Sequence, residues 1–300
     1  MKSAWILLTA LLVSQLYAQS PKSNLLVSVS WLADHIKDPQ LVLLHVGARD
    51  GFDKEHIAGA QFVSLQDISE PRDASSTALI LELPTATRFQ EAMETRGVSN
   101  DSRIVVYCAS NNVSTATRVI WTLTYFGMGD RVSLLDGGMA AWRATGHALT
   151  AETAPAKRGH FAPNVHPEIF ADAKWITEHL HKTGVSVVDS RLADDYAGEQ
   201  TSRAMPRRGH IPGAASLPIE KFMDDNGKLL ESPTLAGLLR EAAVKPGTEV
   251  VSYCYIGQRA TLTWFVARLL GYNARMYDGS WDEWSKRTEL PIDTGATKNQ

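Results

Sequence analysis

The sequence predicts an α/β protein of two similar domains, each a mostly parallel β-sheet flanked by helices on both faces. An ordered set of motifs occurs twice along the 300 residues. Within each copy, short β-branched runs alternate with segments of helical period, which is typical of parallel strands joined by crossover helices. The composition, 44% hydrophobic and 21% charged, suits two ordinary domains with their own cores.

The repeat consists of five pairs of motifs in the same order. Trp31 and Trp175 begin the first pair and are 144 residues apart, as are Gly127 and Gly271. The pairs are WLADHI (31–36) with WITEHL (175–180), LVLLHVGAR (41–49) with VSVVDSR (185–191), HIAGA (56–60) with HIPGA (210–214), RIVVYC (103–108) with EVVSYC (249–254), and LLDGGMAAW (134–142) with MYDGSWDEW (276–284). Loops tolerate small insertions, so modest drift in the later offsets is expected.

The first 18 residues have the pattern of a signal peptide. Lys2 precedes an almost wholly apolar run from Trp5 to Leu16, and Ala18 provides a small residue at a cut before Gln19. The run is shorter than the roughly 20 residues that span a bilayer, although a membrane anchor is the alternative interpretation. We expect an exported, periplasmic protein with no membrane contact after cleavage.

The repeat also sets the expected domain boundaries. We place the first domain at residues 19–150 and the second at 168–300. Residues 151–167 are rich in Ala and Pro and are predicted to be the linker.

The charges and cysteines exclude several classes of function. Thirty basic and 33 acidic residues give a net charge of -3, which argues against nucleic acid and anionic membranes as partners. Two cysteines are too few for a disulfide scaffold, and no Cys/His cluster has metal-ligand spacing. We therefore predict no metal and no organic cofactor.

Cys254 is the candidate nucleophile. It directly follows the apolar run 249–253, and ligands of open α/β sheets bind where strands end and loops lead into helices. Successive amides of the loop 254–259 are expected to converge as an anion-binding nest and lower the pKa of the thiol. Gly257 gives the loop its conformational freedom, and Arg259 closes it with a cation.

The alternative for Cys254 is a buried cysteine that acts as a small apolar residue. The order strand, Cys, Gly, Arg, helix favours the nucleophile. That hypothesis requires a thiol that is not sealed in the core and amides that point towards it.

Two segments carry a family resemblance. ARMYDGSWDEW at residues 274–284 is similar to the terminal signature of the rhodanese family. HIPGA at 210–214 resembles its N-terminal signature, and HIAGA at 56–60 is a one-residue variant. Together with the repeat, the resemblance implies two rhodanese-like domains, as in thiosulfate and 3-mercaptopyruvate sulfurtransferases. It further implies an active second copy and an inactive first copy, with the site facing the interface between them.

The resemblance also implies roles for individual residues. Cys254 would carry sulfur as a persulfide, and Arg191 would bind substrate with Asp189 in support. The first copy has His45 and Gly47 at the corresponding positions and has therefore lost the Asp and Arg together. The expected substrate-binding residues are Arg191, Tyr255, Ile256, Gly257, Gln258 and Arg259.

The loop departs from two branches of the family. Ile256 stands where the animal thiosulfate enzymes have a basic residue, and Tyr255 stands where mercaptopyruvate enzymes usually have Gly. We therefore expect a bacterial thiosulfate-type enzyme with thiosulfate as the small anionic donor and cyanide or a thiol as the acceptor. A 3-mercaptopyruvate sulfurtransferase and a persulfide-relay protein are the alternatives.

Two further hypotheses concern the length of the loop and the role of Cys108. A Cys-dependent phosphatase places five residues between Cys and Arg, whereas residues 255–258 are four, so this loop is too short to hold a phosphate. Cys108 aligns with Cys254, yet its loop lacks a Gly and an early Arg. A structural role for Cys108 is favoured, and sulfur exchange or a disulfide with Cys254 remain open.

Overall fold

The computed structural model describes residues 24–72, 77–200 and 205–295. The predicted signal peptide, residues 1–18, lies outside this part of the chain. Within the described ranges, no helix is both long and apolar enough to cross a membrane.

The first copy of the repeat forms a five-stranded parallel sheet of order β1-β5-β4-β2-β3. Two helices lie on one face and three on the other. The elements are β1 (Leu26–Val27), α1 (Val29–His35), β2 (Leu41–Val46), α2 (Arg49–Lys54), β3 (Gln61–Val63), a 3₁₀ turn (Leu65–Ile68), α3 (Ala86–Glu94), β4 (Arg103–Cys108), α4 (Val113–Leu123), a wide helical turn (Thr124–Met128), β5 (Val132–Leu135) and α5 (Gly138–Ala144).

The second copy forms a second five-stranded parallel sheet of order β6-β10-β9-β7-β8. Its elements follow in the same order as those of the first copy. They are a 3₁₀ turn (Pro167–Ile169), β6 (Phe170–Ala171), α6 (Ala173–His179), β7 (Val185–Asp189), α7 (Ala193–Ala197), β8 (Ala215–Ser216), a 3₁₀ turn (Ile219–Phe222), α8 (Ser232–Glu241), β9 (Glu249–Tyr253), α9 (Ala260–Leu269), β10 (Ala274–Tyr277) and α10 (Ser280–Trp284).

The two copies repeat local details as well as element order. Ser28 caps α1 by accepting a hydrogen bond from the Trp31 N–H, and Asp172 caps α6 by accepting one from the Trp175 N–H. The paired motifs therefore begin their helices in the same way. The predicted α/β fold with two mostly parallel sheets is confirmed.

Apolar side chains form three layers, two outer and one inner. The outer layers cover the far face of each sheet, and the inner layer is shared by both domains. Representative buried members are Leu32, Phe52 and Trp142 in the first outer layer, Ile176, Tyr196 and Trp284 in the second, and Phe89, Trp121, Leu235 and Phe265 in the inner layer. The domains are therefore joined by continuous core, which fixes their relative position.

Helices α4 and α9 meet across the domain interface. The hydroxyls of Thr117 and Thr261, 144 residues apart in the repeat, lie 2.8 Å from each other. The side-chain amide of Gln258 donates to the Ser114 hydroxyl, again 144 residues away, at 3.1 Å. An approximate two-fold axis therefore passes close to the threonine pair and brings the start of α9 against the other domain.

Candidate active site

Cys254 lies between the end of β9 and the loop that leads into α9. Its N–H donates to the Ser280 hydroxyl at 3.1 Å, and its carbonyl accepts from the Trp281 N–H at 2.9 Å. Ser280 has a φ of +50°, which a non-glycine residue rarely adopts. The turn from β10 into α10 thus holds the backbone of the cysteine in place.

The amides of the loop are unusually free. Within the described residues, the N–H groups of 255–259 donate to no protein acceptor. In the first copy, the N–H groups of Ala109, Asn112 and Val113 donate to Val46 O, Ser110 Oγ and Asn111 O. Of the two loops, the second therefore presents a run of five N–H groups that can donate hydrogen bonds to an anion.

The thiol itself is enclosed. Cys254 exposes none of its surface and belongs to the inner apolar layer. Surface cavities of about 720 Å³ on α3 and about 340 Å³ at the start of β7 include no residue of 254–259. One requirement of the nucleophile hypothesis, a thiol that a ligand reaches directly, is therefore not met in this conformation.

The first domain reaches into the loop through Arg118. Its Nη1 donates to the Gly257 carbonyl at 3.1 Å and to Asp278 Oδ1 at 2.5 Å, while its Nη2 donates to the Leu81 carbonyl. Both charged side chains of the pair are buried. Arg118 was not identified from the sequence. A signal was present, because the equivalent position of the second copy, 144 residues later, is the apolar Leu262, so only one of the two buried helices carries a charge there.

The Asp-Gly turns of the two copies make matching contacts across the interface. Asp278 Oδ2 accepts from the Leu83 N–H at 3.0 Å, and Asp136 Oδ1 accepts from the Leu229 N–H at 3.1 Å. Asp278 thereby ties the loop of one domain to a segment of the other.

Arg191 is held in the interior by Asp189. Its Nε donates to both carboxylate oxygens at 3.0 and 3.1 Å, and its Nη2 donates to Oδ2 at 2.6 Å and to the Gly209 carbonyl at 2.7 Å. The Trp281 ring lies 4.4 Å from the guanidinium carbon. Arg191 is 2% exposed, so its predicted contact with substrate would require it to leave these partners.

The first copy has a histidine, His45, in the register position of Asp189. Tyr253, opposite Asp189, donates to Oδ2 at 2.6 Å, whereas the Tyr107 hydroxyl lies 2.9 Å from Nδ1 of His45. Burial, with a smaller contribution from His56, lowers the pKa of His45 to about 4. A neutral imidazole therefore occupies the position where the second copy has an ion pair.

The remaining loop side chains are engaged within the protein. Tyr255 donates to Asp195 Oδ2 at 2.6 Å, and Ile256 packs against the second outer layer. Arg259 donates to both oxygens of Glu220 at 2.6 and 2.7 Å. The loop groups available to a ligand are therefore the backbone N–H groups, since these side chains already have partners in the protein.

Cys108 is buried in the same inner apolar layer as Cys254. Desolvation raises the pKa of its thiol to about 11, and both cysteines are free thiols in the structure. Among the described residues, no three His, Cys, Asp or Glu side chains are grouped so that they could hold a metal ion.

Comparison with known proteins places the chain in a family. The profile of the rhodanese-like domain matches twice, over residues 28–145 and 172–287, which together exceed half of the chain. The chain belongs to the rhodanese family. The matches coincide with the two parallel sheets, so the tandem arrangement that the motifs predict is confirmed.

Several relatives resemble this rhodanese over most of its length. The "Sulfur carrier protein TtuD" of Thermus thermophilus is 32% identical and covers 91% of this chain and 97% of its own. A "Putative thiosulfate sulfurtransferase 1" of Mycobacterium bovis is 29% identical, covering 92% and 99%. A "Probable 3-mercaptopyruvate sulfurtransferase" of Pseudomonas aeruginosa is 31% identical, covering 90% and 98%.

A solved structure shares the fold of this rhodanese. The crystal structure of YnjE aligns with a TM-score of 0.83 at 24% sequence identity. The alignment covers 92% of this chain and 70% of that one. At this level of identity the likeness describes the fold alone.

Proposed function

We propose that this rhodanese is a sulfurtransferase that carries sulfane sulfur as a persulfide on Cys254, with thiosulfate as donor and cyanide or a thiol as acceptor. The observation that carries the proposal is the run of free amides at 255–259 beside a cysteine. Family membership and the names of the relatives support sulfur transfer in general.

In the first step, the Cys254 thiolate attacks the outer sulfur of thiosulfate. The bond between the two thiosulfate sulfurs breaks, its electron pair leaves with sulfite, and the cysteine retains a persulfide anion. The amides of 255–259 stabilise that anion because they have no competing protein acceptor. In the second step, the acceptor attacks the terminal sulfur and regenerates the thiolate.

The burial of Cys254 adds a condition to this cycle. Because the thiol exposes no surface, a donor has to displace protein atoms before it reaches the sulfur. A small donor requires the least displacement, which is consistent with thiosulfate. The pattern of residues 1–18 favours a periplasmic location for the reaction.

The second candidate donor is 3-mercaptopyruvate, and the relative from Pseudomonas aeruginosa is named for that substrate. The same thiolate would then break a carbon–sulfur bond and release pyruvate. Tyr255 and Ile256 separate this loop from both better-known branches, and we favour thiosulfate on the loop sequence. Turnover with each donor at equal concentration distinguishes them, and a strong preference for mercaptopyruvate would overturn our choice.

Mass spectrometry of the intact protein tests the persulfide directly. After thiosulfate treatment we expect one added sulfur atom, which cyanide removes. The adduct should be absent in Cys254→Ala and retained in Cys108→Ala, because the amides that follow Cys254 have no protein acceptor among the described residues, whereas three of those that follow Cys108 do. An adduct that persists in Cys254→Ala and disappears in Cys108→Ala would move the active site to the first domain.

A further inference from the structure

Arg259 is the cation at the end of the loop 254–259, which we call the sulfur loop, and the carboxylate of Glu220 is bound to it. Its Nη2 lies 2.6 and 2.7 Å from the two oxygens of Glu220, and its Nε donates to the Ser190 carbonyl at 3.3 Å. The side chain of Arg259 is 23% exposed and that of Glu220 is 52% exposed. The pair therefore lies at the surface, beside a loop in which Cys254 and Gly257 are buried and Tyr255, Ile256 and Gln258 are partly exposed.

The other two arginines that contact the loop are buried and form ion pairs with aspartates. Arg191 is held by Asp189, and Arg118 is held by Asp278; the side chains of these two arginines are 2% and 0% exposed. Of the three arginines that touch loop residues within the described chain, Arg259 alone reaches solvent. Of these three arginines, an incoming anion therefore contacts Arg259 first, and Arg259 is already paired with Glu220.

We propose that Glu220 sets the affinity of this site for its anionic sulfur donor, because its carboxylate competes with the donor for the guanidinium of Arg259. A sulfonate or carboxylate on the donor has the same forked oxygen geometry as the Glu220 side chain. The donor binds Arg259 only when it displaces the Glu220 side chain. This inference rests on the proposed sulfurtransferase function and adds a residue to it.

The position of Glu220 allows such displacement. It lies in the 3₁₀ turn Ile219–Phe222, whose buried ends Ile219 and Phe222 anchor the turn while Glu220 points outward. A partly exposed ion pair contributes little to stability, so its exchange for another anion costs little. Glu220 therefore lowers the affinity for every anionic donor without blocking any of them.

Steady-state kinetics of Glu220→Gln test the inference. At fixed ionic strength we expect a KM for thiosulfate about two- to fivefold lower than that of the wild type, with kcat unchanged, since only donor binding gains. Glu241→Gln is the matched control, because Glu241 is exposed and has no ion pair in the described chain. Its KM should equal that of the wild type.

A double variant locates the effect. In Arg259→Gln, the further change Glu220→Gln should leave KM unaltered, because the two residues act through one contact. An equal fall in KM with and without Arg259 would overturn the inference, since it would show a general charge effect. An unchanged KM in Glu220→Gln, with persulfide still formed on Cys254, would overturn it and leave the proposed function standing. Absence of persulfide in the wild type would remove the basis of both.

Discussion

At the scale of single residues, Gly257 shows how closely the sulfur loop is packed. Its φ is +74°, and a Cβ at this position would lie 2.7 Å from the carbonyl oxygen of Asp278 and 3.0 Å from Nη1 of Arg118. A side chain would therefore meet both a left-handed backbone and a filled space. Glycine is required here for shape as much as for flexibility.

Gly257→Ala should accordingly destabilise the protein more than an ordinary glycine substitution. Gly247 is the control, since its φ is +78° and a Cβ there has no atom within 4 Å. We expect Gly247→Ala to lower the free energy of unfolding by about 1 kcal/mol and Gly257→Ala by at least about twice that, as measured by urea unfolding. Equal losses would mean that the loop can move away from Asp278.

At the scale of elements, α4 supplies the sulfur loop with a contact that its own domain lacks. Arg118 joins the Gly257 carbonyl, Asp278 and the Leu81 carbonyl, and it thereby connects three segments at the domain interface. The first domain has His45 and Gly47 where the second has Asp189 and the predicted substrate-binding residue Arg191. Helix α4 thus holds the loop 254–259 of the other domain in place.

Substitution of Arg118 should leave the buried carboxylate of Asp278 without a cation. We expect Arg118→Met to lower the free energy of unfolding by about 3–5 kcal/mol, because Asp278 is 1% exposed and would lose its cation. The double variant Arg118→Met/Asp278→Asn should recover most of that loss, since an asparagine oxygen can still accept from the Leu83 N–H. Denaturant unfolding of the three proteins measures both values. A double variant no more stable than the single one would rule out the stranded charge as the cause.

At the scale of the whole molecule, two buried groups give stability opposite dependences on pH. The pKa of His45 falls to about 4, so the unfolded chain binds a proton first and stability decreases as the pH drops from 6.5 towards 4. Burial, reinforced by Asp278, raises the pKa of Glu82 to about 8 from its ordinary 4.5. Between pH 4.5 and 8, the Glu82 carboxyl is protonated in the folded state but ionised in the unfolded chain. Stability therefore decreases as the pH rises from 4.5 to 8.

Glu82→Gln should therefore stabilise the protein at alkaline pH. At pH 8.5 we expect a higher urea midpoint than that of the wild type, because the variant never places a charge beside Asp278. The difference should shrink towards pH 5, where Glu82 is protonated in the folded state. Glu241→Gln, on the exposed side of α8, should show no such trend. A difference independent of pH would contradict the assignment.

The sequence predicted the architecture well because its evidence is local and repeated. Paired motifs such as HIAGA and HIPGA define two copies, and strand–loop–helix alternation places Cys254 at the end of a strand. It did not predict the contact of Tyr253 with Arg191, the contact of Glu220 with Arg259, or the burial of the thiol, because these depend on side chains that meet only after folding. Tyr253 and Glu220, for example, lie 62 and 39 residues from the arginines they contact.

The threonine pair of α4 and α9 has a consequence for how the two halves stay together. Thr117 and Thr261 occupy one position of the repeat and bind each other, which is the self-matching contact of a two-fold symmetric homodimer. Here the partner is tethered in the same polypeptide, so dilution cannot separate it, as it can separate free subunits. The chain is therefore equivalent to a dimer whose two subunits are covalently joined. The sequence of either half can change without the two halves dissociating.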